Sequence, residues 1–288
     1  MYCQKIWLNG SFCSLTSATI PITNHSVHYA SSVFEGIMSY GGRVFRMDEH
    51  LSRLFASAKT MYLEVNFSPE AIKESIIKLL DLNSCNEGSY YIRPLIWPNS
   101  QSFIKRDVNI PANVAIFIQK HTPLRIEKGI KMLISSWVKG PLNSVPHQCK
   151  GSGNYMNSIL SKQEAAALGF DDALLLDYQG NIAEAASSNV FFITHDESLV
   201  TPKIKYCLAG VTRKVVLEIA ARLSIQSVEK DIASEEVKNF KQAFLTGTAI
   251  EIQSVESIHF AKEGESVNFE NSNLANILHT EYRKLCLL

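Results

Sequence analysis

The spacing of apolar residues along the chain predicts several helices. Apolar side chains recur every three or four positions in four stretches: DEHLSRLFASAKTMYL, SPEAIKESIIKLLDL, NYMNSILSKQEAAALGF and TRKVVLEIAARL. This is the period of a helix that buries one face. Asp48 is placed to cap the first helix, and Ser68 and Pro69 stand in the order expected of an N-cap and a first turn for the second. Gly169 is expected to end the third.

Short apolar runs bounded by turn residues predict strands between the helices. Hairpins are expected at Asn9-Gly10, at Gly41-Gly42 and at Gln179-Gly180, because these residues favour tight turns. Four further runs are read as strands, the last of them broken at TGT: SYYIRPLIW, NVAIFIQ, KMLISSW and QAFLTGTAIEIQSV.

The order of these elements predicts an α/β (α+β) protein of two domains. Residues 1–119 mix short strands and helices and form a small α/β domain. Residues 120–129 are polar, contain a proline and show no periodicity, as is typical of a short interdomain loop. The pattern then restarts, which makes residues 130–288 a larger mixed α/β domain.

Composition and charge narrow the kinds of partner. Hydrophobic residues make up 46% of the chain and charged residues 19%, which is typical of a globular protein. The 28 basic side chains balance 28 acidic ones, so charge gives no argument for nucleic acid or an anionic membrane. The sequence has no long apolar run and no signal-peptide order at its start, and we expect a cytoplasmic protein. The scattered cysteines and histidines show no metal-binding spacing, so no metal is expected.

Two stretches have the character of anion-binding turns. Gly210 precedes a predicted helix, so the amides of Val211 and Thr212 would be available where the helix dipole favours phosphate. The turn in LTGTAIE offers the Thr248 hydroxyl near a strand end. Capping of the helix by its own loop is the alternative for the first stretch, and neither is decisive alone.

Two charged residues stand in unusual surroundings. Lys150 precedes GSGNYM, which matches neither the P-loop nor the GxGxxG fingerprint. Glu184 lies on a predicted strand among alanines and serines, where a carboxylate is costly unless a cation or a hydrogen-bond donor meets it. From the residues alone, a solvated lysine and an exposed glutamate remain open alternatives to catalytic roles.

Read together, eight segments resemble the class IV, fold-type IV pyridoxal phosphate enzymes, and among these the branched-chain amino acid aminotransferases. They follow one another in the family's order: HSVHYASSVFEGI, HLSRL, YIRPLI, KGSGNYMNS, ALLLDYQGNIAE, SSNVFFI, LAGVTR and TGTAIEI. The resemblance implies pyridoxal 5'-phosphate as cofactor and a ping-pong transamination between branched-chain L-amino acids (Leu, Ile, Val) and 2-oxoglutarate. It also implies a homodimer or higher homo-oligomer.

The resemblance also implies a role for each matching residue. Lys150 would be the Schiff-base lysine, and Glu184 would hydrogen-bond the pyridine nitrogen of the cofactor. The remaining cofactor-binding residues would be Arg53, Tyr155, Gly210, Val211, Thr212 and Thr248. The substrate-binding residues would be Phe34, Tyr91, Arg93 and Ala249, together with Tyr29 from a partner subunit.

The sequence departs from the family pattern in two places, and related functions remain open. Met38 stands where the family usually carries a basic residue after FEGI, and the interdomain loop is short and lacks aromatic residues. A D-amino acid aminotransferase or an aminodeoxychorismate lyase would keep the same fold and lysine, although GNY after Lys150 and YIRP favour the branched-chain group. A non-catalytic protein on this fold would be expected to have lost Lys150, Glu184 or Arg53, and all three are present.

Overall fold

A computed structural model describes residues 1–101, 110–122, 129–261, 264–270 and 273–287 of the chain. The chain divides into two compact units. Of the described residues, the first unit contains 1–101, 110–122 and 149–154, and the second contains 129–148, 155–261, 264–270 and 273–286. The segment that carries Lys150 therefore groups with the first unit. The predicted linker at 120–129 and the domain bounds around it stay predictions, since residues 123–128 lie outside the described residues.

The first unit is built on a sheet of eight described strands. The strand order is β2-β1-β8-β7-β4-β5, with β3 paired to β7 and β6 paired to β8. Its elements are β1 (Lys5–Leu8), β2 (Ser11–Ser14), α1 (His25–Tyr29), β3 (Val33–Phe34), β4 (Ile37–Tyr40), β5 (Arg43–Val44), α2 (Met47–Thr60), β6 (Leu63–Glu64), α3 (Pro69–Leu82), β7 (Ser89–Pro98) and β8 (Ile110–Lys120). Leu51 and Leu54 of α2 and Ile72 and Ile76 of α3 belong to the apolar core of this unit.

The starts of the two long helices of the first unit test the capping predictions. Ser68 caps α3 as predicted, since its side chain accepts a hydrogen bond from the amide of Ala71. The prediction for Asp48 is wrong. Arg46 occupies the N-cap position of α2 in a left-handed conformation with φ of 52°, and Asp48 lies within the first turn. Its carboxylate accepts a hydrogen bond from Lys73 at 2.7 Å and is too far along the helix to cap it.

The second unit is built on a sheet of nine described strands. The strand order is β11-β10-β9-β16-β15-β12-β13-β14, with β17 paired to β16. Its elements are β9 (Ile130–Lys139), α4 (Tyr155–Ala167), β10 (Asp172–Asp177), β11 (Ile182–Ala185), β12 (Asn189–Ile193), β13 (Leu199–Pro202), α5 (Val211–Arg222), β14 (Ser227–Lys230), β15 (Gln242–Gly247), β16 (Glu251–Phe260), β17 (Glu265–Asn268) and α6 (Asn273–Leu287). The pairs β9–β10, β9–β16 and β13–β14 are parallel, so the sheet is mixed.

The predicted turns and helices form where the pattern indicated them. β1 and β2 form a hairpin at Asn9-Gly10, and β10 and β11 form one across Gln179-Gly180. Gly169 takes a φ of +83° just after α4, as expected of a residue that ends a helix. The mixed α/β architecture predicted from the sequence is confirmed. None of the described helices combines the length and apolar content needed to cross a membrane.

Candidate active site

The backbone around Lys150 is fixed within the first unit. The carbonyl of Lys150 accepts a hydrogen bond from the amide of Phe34 at 3.1 Å, and the amide of Ser152 donates to Ser32 at 2.8 Å. On the other side, the Lys150 amide donates to the Ser57 hydroxyl of α2 at 3.0 Å. The residue is therefore tied to the β3 segment and to a helix, unlike a lysine in a solvated loop.

The side-chain amine of Lys150 lies in a desolvated environment that contains charges of both signs. Its Nζ is 5.1 Å from the centroid of the Phe34 ring. Burial is the largest influence on the pKa of Lys150 and lowers it. Arg53 and Arg93 also lower this pKa, while the negative charge of Glu35 opposes the change. A lowered pKa increases the fraction of neutral amine, which is the nucleophilic form.

Arg53 is held by a buried glutamate that the sequence analysis did not single out. Glu35 is fully buried between β3 and β4. Its carboxylate accepts hydrogen bonds from Arg53 Nε at 2.6 Å and Nη2 at 3.0 Å, and from His50 Nδ1 at 2.8 Å. The two bonds to Arg53 use the fork geometry of a guanidinium and fix its plane.

The charge states of this cluster follow from its surroundings. Burial alone would raise the pKa of Glu35, but the charge of Arg53 and the hydrogen bond from His50 lower it to about 2. Burial lowers the pKa of His50, and its contact with Glu35 only partly opposes this. His50 is therefore neutral, and its contact with Glu35 is a hydrogen bond from Nδ1–H rather than an ion pair. Glu35 carries the negative charge that balances Arg53.

Tyr91 and Arg93 lie on β7, and Arg93 packs against the ring of Phe34 on β3. The Arg93 Nη2 donates a hydrogen bond to the Tyr91 hydroxyl at 2.8 Å, and its guanidinium carbon lies 4.4 Å from the centroid of the Phe34 ring. The buried Nε of Arg93 has no hydrogen-bond partner among the described residues. Met38 of β4 lies opposite Tyr91 and is fully buried. A side chain at Gly36 would overlap Tyr91, since a Cβ there would lie 1.9 Å from the hydroxyl oxygen.

Tyr29 and Tyr155 lie at helix ends. Tyr29 ends α1, is 41% exposed, and has its ring 4.8 Å from that of His25. Tyr155 begins α4 in the second unit and is half-buried. The roles of both residues stay predictions.

Glu184 is buried on β11 of the second unit, and its carboxylate accepts two hydrogen bonds. Its Oε1 accepts a hydrogen bond from Lys139 Nζ at 2.5 Å, and its Oε2 accepts one from the amide of Leu208 at 3.1 Å. The open alternative of an exposed strand residue is wrong, because the residue is only 8% exposed. The contact with Leu208 also ties Glu184 to the segment that leads into α5.

The N-terminus of α5 has the chemical character of an anion-binding helix end. Gly210 is the N-cap residue of this helix. Within the described residues, no side-chain hydrogen bond caps the start of α5. A Cβ at Gly210 would lie 2.1 Å from Asn189 Oδ1, so a side chain here would displace Asn189 or the start of the helix. Asn189 in turn donates to the carbonyl of Leu208 at 2.9 Å. The first turn, at Val211 and Thr212, is buried and presents backbone amides where the helix dipole favours negative charge.

The turn that carries Thr248 and Ala249 connects β15 to β16. Both residues are half-buried. The next strand begins with Glu251, which takes a left-handed φ of 56° and accepts hydrogen bonds from His279 at 2.9 Å and Arg283 at 2.7 Å of α6. A non-glycine residue in this conformation persists only where its surroundings hold it. The turn is therefore supported by the C-terminal helix.

The structure thus divides the predicted residues between the two units. Tyr29, Phe34, Arg53, Tyr91, Arg93 and Lys150 lie in the first unit. Tyr155, Glu184, Gly210, Val211, Thr212, Thr248 and Ala249 lie in the second. Sequence reasoning missed the supporting residues Glu35, His50, Lys139, Asn189 and Glu251. For Glu35, the sequence did contain a signal, since a charged residue stands between Phe34 and Gly36 at a position expected to be buried.

Comparison with known proteins decides the family. A family model described as amino-transferase class IV matches residues 32–258. A probable branched-chain-amino-acid aminotransferase of Rickettsia typhi is 38% identical over 98% of this chain and 96% of that protein. The chain belongs to the class IV aminotransferases. The family predicted from the sequence motifs is confirmed.

Solved structures of class IV aminotransferases have the same fold. A branched-chain aminotransferase from Thermoproteus uzoniensis with norvaline has a TM-score of 0.92 at 30% identity, covering 99% of this chain and 95% of that one. A T.th. branched-chain amino acid aminotransferase complexed with N-(5'-phosphopyridoxyl)-L-glutamate has a TM-score of 0.90 at 32% identity and covers 98% of this chain and 93% of that one. This class IV aminotransferase therefore uses pyridoxal phosphate.

The residues of this chain fit that cofactor. An amine with a lowered pKa suits a covalent bond to an aldehyde. A helix N-terminus without a side-chain cap among the described residues suits a monophosphate. A buried carboxylate suits a positively charged ring nitrogen. The amine is that of Lys150, the helix is α5, and the carboxylate is that of Glu184.

Proposed function

We propose that this aminotransferase exchanges the amino group between branched-chain L-amino acids, leucine, isoleucine and valine, and 2-oxoglutarate. The observation that carries the reaction type is the desolvated amine of Lys150, whose pKa is lowered in the vicinity of Arg53 and Arg93. The substrate class is supported by the relatives, which are named branched-chain aminotransferases at up to 38% identity over nearly the full chain. One solved relative is complexed with 4-methylvaleric acid, an acid with a branched chain.

Lys150 has two roles in this proposal. Its amine would hold the cofactor covalently, and as a free amine it would carry the proton at the substrate Cα. Both roles require the neutral amine, which the lowered pKa favours. When bound, pyridoxal phosphate supplies an electron sink that stabilises negative charge at that carbon.

The remaining cofactor contacts are assigned by their chemistry. The guanidinium of Arg53 and the amides of Val211 and Thr212 after Gly210 are donors that suit a phosphate, and the Thr248 hydroxyl adds another. Tyr155 provides a phenol for the phenolic oxygen of the cofactor. Glu184 holds a proton on the pyridine nitrogen, because a buried carboxylate stabilises the opposite charge.

Substrate carboxylates meet cationic and amide donors in this proposal. Arg93 and Tyr91 suit a carboxylate, and the buried Nε of Arg93, unpartnered among the described residues, supports this role. The amide of Ala249 is a further donor. Phe34 provides an apolar wall for the substrate side chain, and Tyr29 of the partner subunit is proposed to complete it.

A single site must then accept two kinds of amino acid in turn. The reaction is proposed to be ping-pong, with the first oxo acid leaving before the second oxo acid enters. The relative complexed with N-(5'-phosphopyridoxyl)-L-glutamate supports the glutamate and 2-oxoglutarate pair. We also propose the two-domain division at residues 120–129, a homodimer or higher homo-oligomer, and a cytoplasmic location.

A substrate panel tests the proposal. The pyridoxal phosphate enzyme is assayed with L-leucine, L-isoleucine, L-valine, D-alanine and aminodeoxychorismate, with 2-oxoglutarate as acceptor for the amino acids. We expect turnover of the three L-amino acids. Turnover of only D-alanine or aminodeoxychorismate would overturn the choice of substrate.

A pair of lysine variants tests the nucleophile. We expect Lys150→Ala to lose activity and the absorbance that borohydride bleaches in the wild type. Lys59→Ala, at an exposed position on α2, removes a lysine from the same unit and should retain both. Retention of both properties by the Lys150 variant would contradict the assignment.

A further inference from the structure

Lys139 makes a buried contact with Glu184 that the proposed mechanism does not use. Lys139 ends β9 and Glu184 lies on β11, with β10 between the two strands. The ammonium nitrogen lies 2.5 Å from Oε1, and each side chain is 11% exposed. This is the least exposed lysine–carboxylate pair among those the structure describes.

The positive charge of Lys139 matters because its partner Glu184 is buried. An isolated carboxylate removed from water tends to take up a proton, because the charged form loses its hydration. The amide of Leu208 is the other donor to Glu184, and it brings no formal charge. The nearby Cys207 is also fully buried, and burial, followed by the charge of Glu184, raises the pKa of its thiol to about 12. Lys139 is thus the cation that offsets the charge of Glu184.

The contact with Lys139 leaves Glu184 able to accept a further hydrogen bond. A carboxylate has about four acceptor positions on its two oxygens. Lys139 and Leu208 use one on each oxygen. A hydrogen bond between Glu184 and a ring nitrogen has two forms, in which the proton rests on the ring or on the carboxylate. A fixed positive charge beside the carboxylate favours the form with the proton on the ring.

We propose that Lys139 is a positioning residue that fixes Glu184 as an anion and thereby keeps the proton on the pyridine nitrogen of the cofactor. This inference rests on the proposed role of Glu184. In a merely structural ion pair, loss of Lys139 would lower the stability of the protein but would not move that proton.

Nitrogen NMR separates these two possibilities. The enzyme is loaded with pyridoxal phosphate labelled with ¹⁵N in its ring, and the ¹⁵N chemical shift reports whether the nitrogen is protonated. We expect wild type and Lys139→Arg to show the protonated shift. Lys139→Met, and Lys139→Gln, which keeps a donor but removes the charge, should both move toward the unprotonated shift. Their kcat should fall at least tenfold, while Lys139→Arg retains most of it.

A matched variant controls for loss of an ion pair in the same unit. Lys162 pairs with Asp172 at 3.5 Å, and Lys162→Met removes that ammonium without approaching Glu184. Its ¹⁵N shift should equal that of wild type. Thermal unfolding of every variant identifies any that fails to fold. If Lys139→Met does not fold, the result for Lys139→Gln decides the test.

Glu184→Gln distinguishes failure of this inference from failure of the proposed function. If this variant keeps the protonated shift, the role of Glu184 is wrong and the inference falls with it. If Glu184→Gln moves the shift but both uncharged Lys139 variants keep it, only the role of Lys139 is overturned. A shift moved by Lys162→Met would also overturn it.

Discussion

Glu35 shows how one buried residue fixes the position of others. Its carboxylate holds the Arg53 fork and the His50 ring, and no part of it is exposed. A buried charge is tolerated here because its acceptor positions face a guanidinium and an N–H donor. The position of the proposed phosphate ligand Arg53 therefore depends on a residue that contacts no cofactor in the proposed mechanism.

The lowered pKa of Glu35 predicts acid sensitivity. The ordinary pKa of 4.5 falls to about 2 in the folded protein. A difference of roughly 2.5 in pKa, at about 1.36 kcal/mol for each unit, gives ~3 kcal/mol. Because the folded value is the lower one, this stabilisation is present above pH 4.5 and is lost as the pH falls toward 2.

Urea unfolding between pH 2 and pH 7 measures this contribution. The free energy of unfolding of wild type should fall more steeply below pH 4.5 than that of Glu35→Gln, which has no carboxyl to protonate. Asp48→Asn removes a carboxylate that is largely exposed and should leave the wild-type slope unchanged. Equal slopes for wild type and Glu35→Gln would contradict the assigned pKa.

Arg53→Lys tests whether the fork geometry matters as well as the charge. Lysine keeps the positive charge but cannot make the paired contacts from Nε and Nη2 to Glu35. We expect the dissociation constant for pyridoxal phosphate to rise about tenfold or more, with a smaller effect on kcat once the cofactor is saturating. Arg46→Lys alters an arginine in a partly exposed pair at the start of the same helix and should change neither.

The roles of single residues were the hardest to derive from the sequence alone. Neither the loop around Lys150 nor the strand around Glu184 distinguishes a catalytic residue from a solvated one, and only the ordered motifs of a family did so. Lys139 and Glu35 were missed because their importance depends on contacts with Glu184 and Arg53. Those contacts join residues that local patterns cannot pair.

At the scale of elements, local sequence determined most helices and hairpins. The helical period predicted α2, α3, α4 and α5, and turn residues predicted the hairpins. The helix α6 was missed although its buried residues Leu274, Leu278, Tyr282 and Cys286 recur every four positions. The signal was present in the sequence, and it matters because α6 supports the turn before Glu251.

Gly210→Ala tests the link between the start of α5 and its neighbours. The new Cβ would lie 2.1 Å from Asn189 Oδ1, so Asn189 or the helix start must move. We expect a loss of ~1 to 3 kcal/mol in the free energy of unfolding, as is typical of an overpacked site, and weaker pyridoxal phosphate binding. Chemical denaturation and cofactor titration measure the two effects.

A double mutant identifies the cause of that loss. If the clash with Asn189 is responsible, Gly210→Ala should cost less in an Asn189→Ala background than in wild type. An equal cost in both backgrounds would show that the clash is not the reason.

At the scale of the whole molecule, the order of strands could not be derived from the sequence. Strand β9 pairs with β16, and Val255 lies opposite Ile130 in the register although the two are far apart in the chain. Periodicity identifies a strand and its buried face but carries no information about which distant strand lies beside it. The order of elements predicted the mixed α/β class, the family resemblance predicted the fold type, and the structures of relatives confirm both.

Removal of the cofactor should lower the stability of the folded protein as a whole. A ligand that binds only the folded state stabilises it by about 2.7 kcal/mol when present at 100 times its dissociation constant. Thermal unfolding of the enzyme with and without pyridoxal phosphate should therefore show a higher Tm for the loaded form, by several degrees for a chain of this length. Lys150→Ala should keep only part of this increase, because it retains the proposed phosphate-binding donors but loses the proposed covalent bond. A full increase in that variant would mean that the bond adds nothing to cofactor affinity, and no increase in wild type would contradict the cofactor assignment itself.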